Sequence, residues 1–102
     1  MTENLYPMFD PPHPGEFINE TYLLPYGVSA RGLASALGVA ATTTSRLINE
    51  SARVTPELAV RLEVVLGRSA ESWLRMQETY DLSRVRATVD TSGLSRLELV
   101  AA

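Results

Sequence analysis

The chain of 102 residues has no cysteine and no lysine, a single histidine and a single tryptophan. Without cysteine there is no disulfide scaffold, no thiolate metal site and no cysteine nucleophile. His13 stands alone between Pro12 and Pro14, so the imidazoles of a zinc centre or of a serine–histidine hydrolytic site are lacking. Nowhere do eighteen apolar residues follow one another, and Met1-Thr2-Glu3 places no basic residue ahead of an apolar stretch. Neither a membrane span nor a secretion signal is expected, and the sequence reads as cytoplasmic. Paired carboxylates, a nucleophile with its base, and a phosphate-binding loop are also missing, so neither an enzyme nor a cofactor or metal is expected.

What is present is enough for one small domain. Hydrophobic residues make up 45% and charged residues 21% of the chain, a balance that buries a core and does not suit a disordered protein. The net charge of −3 is unevenly spread. Residues 1–28 carry Glu3, Asp10, Glu16 and Glu20 and no arginine, whereas residues 29–54 carry Arg31, Arg46 and Arg53 against Glu50 alone. Only that second stretch is basic. The cations are all arginine, whose fork suits phosphate and guanine.

Prolines and glycines divide the chain. Pro7, Pro11 and Pro12 exclude a helix from residues 1–13, which read as an arm. Gly15 to Leu24 spaces Phe17, Ile18, Thr21 and Tyr22 as a helix does, and Pro25 and Gly27 end it. Ser29 caps a second helix, Ala30 to Leu37, with Leu33, Ala34 and Leu37 inward and Gly38 as its stop. A third runs from Ala41 to Asn49, with Thr44, Leu47 and Ile48 on one side and Thr42, Thr43, Ser45 and Arg46 on the other; Thr42 is an alternative N-cap. Thr55-Pro56-Glu57 opens a fourth helix that closes at Gly67. Ser69 opens a fifth, with Trp73, Leu74, Gln77 and Tyr80 along its faces, ending near Leu82 or Arg86. Residues 14–87 thus form an all-α, five-helix domain. Residues 88–102 form a short extension whose Val89, Leu94, Leu97 and Val100 are too apolar for an inert tail and are expected to dock on the domain or on a second subunit.

A two-turn helix, a glycine corner and a second short helix with a small, polar outer face is the arrangement of a helix-turn-helix. In that reading Ala41 lets the backbone approach DNA. The hydroxyls of Thr42, Thr43 and Ser45 reach base edges, and Arg46 has the fork for guanine O6 and N7. Ser29, Arg31, Asn49 and Arg53 complete the expected DNA-facing set, the last two toward phosphates. Asn49 has a second reading as a helix C-cap. Trp73 reads as core, and Arg61, Arg68, Arg75, Arg84 and Arg86, alternating with acids, as a solvated and paired face.

The order of residues goes beyond this spacing, for from His13 to about Leu97 the chain resembles the HigA-type antitoxins of the Xre helix-turn-helix family. The resemblance rests on His13-Pro14-Gly15-Glu16, on Leu33-Ala34-x-x-Leu37-Gly38-Val39 and on Ser45-Arg46-Leu47-Ile48-Asn49. It continues in Thr55-Pro56-Glu57-x-Ala59-x-Arg61-Leu62 and in Gly67-x-Ser69-x-Glu71-x-Trp73-Leu74-x-Met76-Gln77-x-x-Tyr80-Asp81-Leu82. It implies an Xre or lambda-repressor-like fold, and an antitoxin that binds a HigB-like ribonuclease toxin and represses its own operon on operator DNA. Two alternatives stay open, a stand-alone Xre-family repressor and a protein-interaction module with weakened DNA binding.

Four positions depart from the family pattern. Ala30 stands where members often have glutamine, and Glu50-Ser51 where they often have Gly-Lys, removing phosphate contacts that the resemblance implies. Thr44 replaces a buried aliphatic residue or alanine, so its hydroxyl has to find a helix carbonyl. Three arginines facing DNA are few for one copy, which favours a homodimer. A toxin that engages RNA is expected to be basic, which makes Glu3, Asp10, Glu16 and Glu20 the expected toxin-facing residues.

Overall fold

Residues 10–101 are described by a computed structural model, and their regular structure is helical throughout. The helices are α1 (Pro14–Ile18), α2 (Ala30–Leu37), α3 (Ala41–Ile48), α4 (Pro56–Leu66) and α5 (Ala70–Thr88). The all-α, five-helix expectation therefore holds. Four of the five begin where a side chain accepts a hydrogen bond from an amide that the helix itself leaves unpaired. His13 Nδ1 accepts from Gly15 N–H at 2.9 Å, Ser29 Oγ from Gly32 at 2.9 Å, Thr55 Oγ1 from Leu58 at 3.2 Å and Ser69 Oγ from Ser72 at 3.0 Å. Pro14 and Pro56 lie in first turns, where a missing N–H is harmless.

Helix α1 does not keep one pitch to Leu24. After Ile18 it loosens into a π turn, Asn19–Leu23, and then tightens into a 3-10 turn, Leu24–Tyr26, before Gly27 turns left-handed at φ +65°. Pro25 accounts for the change. Its ring has no N–H and crowds the preceding turn, and Leu24 N–H reaches back five residues to the Asn19 carbonyl.

The core gathers Ile18 and Leu23, Leu33 and Leu37, Leu47, Val54, Leu58, Ala59 and Leu62, with Trp73 of α5 at its centre. Burying each large member contributes about 1.5–3 kcal/mol. Trp73 is fully buried, as expected for a core residue, and its indole N–H donates to the Gly67 carbonyl at 3.1 Å. Pro11 and His13 are buried as well, so the chain is already packed on the bundle when α1 begins. The first nine residues lie outside the described ones.

The arginines of α4, of α5 and of the turn between them do more than decorate a solvated face. Arg61 pairs with Glu57 at 3.1 Å and also donates to the Leu37 carbonyl at 2.8 Å, closing the C-terminus of α2. Arg68 lies over the rings of Phe17 and Trp73, 5.0 and 5.7 Å from their centroids, and Arg84 lies 4.7 Å over Tyr80. Helix α5 runs two residues past the expected Arg86. From Val89 to Ala101 the chain leaves the helix and every residue is exposed, so the extension does not dock on its own domain. Leu94, Leu97, Leu99 and Val100 are between 72% and 85% exposed.

Candidate nucleic-acid interface

Helices α2 and α3 meet through a corner of three residues. Gly38 takes φ +70°, a left-handed turn that glycine adopts without strain, and Val39 N–H reaches the Ala34 carbonyl at 3.1 Å. Leu33, Ala34 and Leu37 of α2 and Leu47 of α3 are buried between the two helices and the rest of the core. Thr44 fixes their relation. It is fully buried, and its hydroxyl lies 2.9 Å from the Ala30 carbonyl and 3.0 Å from the Ala41 carbonyl, the acceptors that its position demands. The bond to Ala30 ties the middle of α3 to the first turn of α2.

With Thr44 and Leu47 turned inward, the other side of α3 is open. Ala41, Thr42, Ser45, Arg46 and Asn49 are exposed, and Thr42, Ser45, Arg46 and Asn49 fall within an arc of about 100° on a helix of 3.6 residues per turn. Thr43, expected beside them, is half-buried and turned toward a groove of about 340 Å³ lined also by Val39, Leu58 and Arg61. Ala40, not Thr42, is the N-cap of α3, and no side chain caps this helix. Thr43 N–H bonds to the Ala40 carbonyl at 3.0 Å, and the amides of Ala41 and Thr42 remain open among the described residues, next to the small side chains of Ala40 and Ala41. Asn49 is the C-cap residue, and its backbone N–H bonds to the Ser45 carbonyl. On α2, Ser29 serves as the cap and Arg31 is exposed.

Glu50 follows α3 with φ +64°, a left-handed conformation that costs a non-glycine residue about 1–2 kcal/mol. Glycine takes this conformation without strain, in keeping with the Gly-Lys pair that the resemblance implies at this place. The turn lets Ser51 N–H bond to the Arg46 carbonyl at 2.9 Å and stops the helix.

Behind α3 the structure assembles a polar cluster that the sequence did not disclose. Arg53, expected free for phosphate, pairs with Asp81 of α5, its Nε donating to Oδ2 at 3.0 Å and its Nη2 donating to the same oxygen. Asp81 Oδ1 accepts from Gln77 Nε2 at 3.1 Å, and Gln77 Oε1 accepts from Val54 N–H at 2.8 Å. Gln77 is almost wholly buried. Beside them His13 presents its ring edge-on to Tyr80, with centroids 4.9 Å apart. Burial holds the His13 imidazole below its ordinary pKa, against the carboxylates of Glu50 and Asp81 and the Ala52 backbone. The one available signal was Gln77 four residues after Trp73, a polar side chain on a buried stripe, which has to have partners.

The acidic residues lie apart from this row in the sequence. Asp10, Glu16 and Glu20 are exposed, the last two four residues apart on α1 and its π turn, and Glu3 lies outside the described residues.

The α2–corner–α3 pair, held by Thr44 and closed on α4 by Arg61, defines a helix-turn-helix protein. No protein-family model matches the chain. It is 42% identical over 90 residues to the HTH-type transcriptional regulator YddM of Escherichia coli K12, covering 88% of this chain and 95% of that one. Among solved structures it resembles the antitoxin GraA, with a TM-score of 0.81, 34% identity, and 86% and 98% of the two chains covered. It also resembles the antitoxin HigA of Pseudomonas aeruginosa, solved with the higBA promoter, with a TM-score of 0.72, 32% identity, and 76% and 84% covered. The chain belongs to the HigA-type antitoxins of the Xre helix-turn-helix family.

Proposed function

We propose that this chain is the antitoxin of a toxin–antitoxin pair, that it represses its own operon by placing α3 in the major groove of operator DNA, and that it neutralises a HigB-like ribonuclease. The observation that carries the DNA half is the exposed row Thr42, Ser45, Arg46 and Asn49 on a helix whose other side is locked in place by Thr44. In this reading the hydroxyls meet base edges, Arg46 grips a guanine, and the open amides of α3 together with Ser29, Arg31 and Arg53 take backbone phosphates. The chain works in the cytoplasm by binding and performs no catalysis.

Two copies act together, one per half-site about one helical turn apart. The exposed apolar residues of the extension, Val89, Leu94, Leu97 and Val100, join them. The toxin meets the acidic residues of the N-terminal stretch, Glu3, Asp10, Glu16 and Glu20, where opposite charge speeds encounter with a basic partner.

Arg46→Ala tests the DNA half. It is expected to weaken binding to the chain's own promoter by about 1–3 kcal/mol in a titration at fixed salt, and to leave binding to random duplex nearly unchanged. An equal loss on both duplexes would reduce Arg46 to a phosphate contact. For the toxin half, replacing the four acids by their amides is expected to slow association with the toxin and flatten its salt dependence. Unchanged kinetics at low salt would move the toxin surface elsewhere.

A further inference from the structure

Arg53 and Val54 are neighbours in the loop that leads from α3 to α4, and Gln77 and Asp81 lie one turn apart on α5. The two pairs close a ring. Gln77 holds the Val54 N–H and the Asp81 carboxylate, and Asp81 holds the Arg53 guanidinium. Gln77 is buried and cannot swing away, so the carboxylate is oriented from inside the core.

Asp81 takes two of the five N–H donors of Arg53, both through one oxygen. The remaining three, two on Nη1 and one on Nη2, have no acceptor among the described residues, and the Arg53 side chain is 65% exposed. A guanidinium held along one edge and open along another is ready to receive an oxyanion. The open edge belongs to the loop directly after the helix whose outer face carries Thr42, Ser45, Arg46 and Asn49.

We propose that Asp81 is a positioning residue for DNA binding: it holds Arg53 in place before the complex forms, so that a backbone phosphate meets an already ordered guanidinium. The inference rests on the reading that α3 faces DNA. Ordering a long side chain beforehand removes a cost that would otherwise fall on binding, worth about fivefold in affinity. The opposing effect, repulsion between Asp81 and the phosphate, acts through solvent and is screened by salt.

The test uses the full chain, a duplex of its own upstream region and a random duplex of equal length, titrated across a range of salt. Asp81→Asn keeps the size and the acceptor that Gln77 uses. It is expected to weaken binding about fivefold on both duplexes, as expected for a phosphate contact. Arg53→Ala should do at least as much, and the double variant should be no weaker than Arg53→Ala alone. A purely structural role would lower thermal stability and add to the Arg53 effect. Tighter binding by Asp81→Asn, or additive losses, overturns the proposal.

The wild-type chain supplies a second measurement that needs no variant. Relaxation of the Arg53 Nε resonance in the free protein should show order close to that of the backbone, and a freely moving Nε overturns the proposal even if Asp81→Asn fails to fold. Arg46→Ala in the same titration separates the two levels. If it has no effect on the upstream duplex, the reading of α3 fails. If it acts as expected while Asp81→Asn does nothing, only the positioning role fails. A chain that binds neither duplex removes both.

Discussion

A Cβ on Gly15 would stand 1.8 Å from the carbonyl oxygen of Leu47, so the first turn of α1 rests directly on the last full turn of α3. The obstacle is backbone, which cannot swivel aside. Gly15 is therefore the point at which α1 sets the position of α3.

Gly15→Ala is expected to force α1 and α3 apart and to lower stability by about 1–3 kcal/mol, the range for overpacking. Urea unfolding should show a lower midpoint with an unchanged slope. A midpoint equal to that of the parent would mean that α1 can shift without loss.

Glu50→Gly should act in the opposite direction. Glycine relieves the left-handed strain at φ +64°, and part of that gain is offset by the greater freedom of glycine in the unfolded chain. A net gain of about 0.5–1 kcal/mol is expected, seen as a rise in melting temperature. A fall would show that the Glu50 side chain makes a contact worth more than the strain.

His13 ties stability to pH. Its folded pKa is lowered by burial, so the unfolded chain binds the proton more readily. The stability it contributes is complete above the unfolded value of about 6.5 and is lost as pH falls through 6.5 toward the folded value. Protonation also removes the acceptor that Nδ1 offers to Gly15 N–H. His13→Asn retains a capping side chain but cannot titrate, and denaturation between pH 7 and 5 should give it a flatter profile than the parent.

Ending the chain at Thr88 should leave the melting of the domain nearly unchanged, because residues 89–101 are exposed and outside the core. Sedimentation should then show a monomer, and a dimer for the full chain. Persistence of the dimer would place the interface on the helices.

Much of this fold is legible because its boundaries are local. Ser29, Thr55 and Ser69 are caps by type and position, and Gly38 and Gly67 mark ends wherever they stand. The inward and outward faces of α3 follow from spacing except at Thr43, which is half-buried, and its small polar surface points to a helix-turn-helix. Tertiary relations escaped. Arg53 reads as a free cation until α5 brings Asp81 to it from 28 residues away, and Arg61 reads as half of a surface pair until it is seen closing α2. His13 reads as part of a proline-rich arm, and nothing local says that it is buried against Tyr80. The π turn escaped because Pro25 marks where a helix ends and not how its last turns adjust.

Among helices α2 to α5, only α3 begins without a side-chain cap. A serine or aspartate at Ala40 would add about 1 kcal/mol to the fold, so the domain forgoes easily gained stability at one helix start. That start belongs to the helix proposed to enter DNA, where a phosphate would do the work of the absent side chain. The operator then completes the hydrogen bonding of α3, and selection for heat resistance alone would favour changes at Ala40 that compete with it.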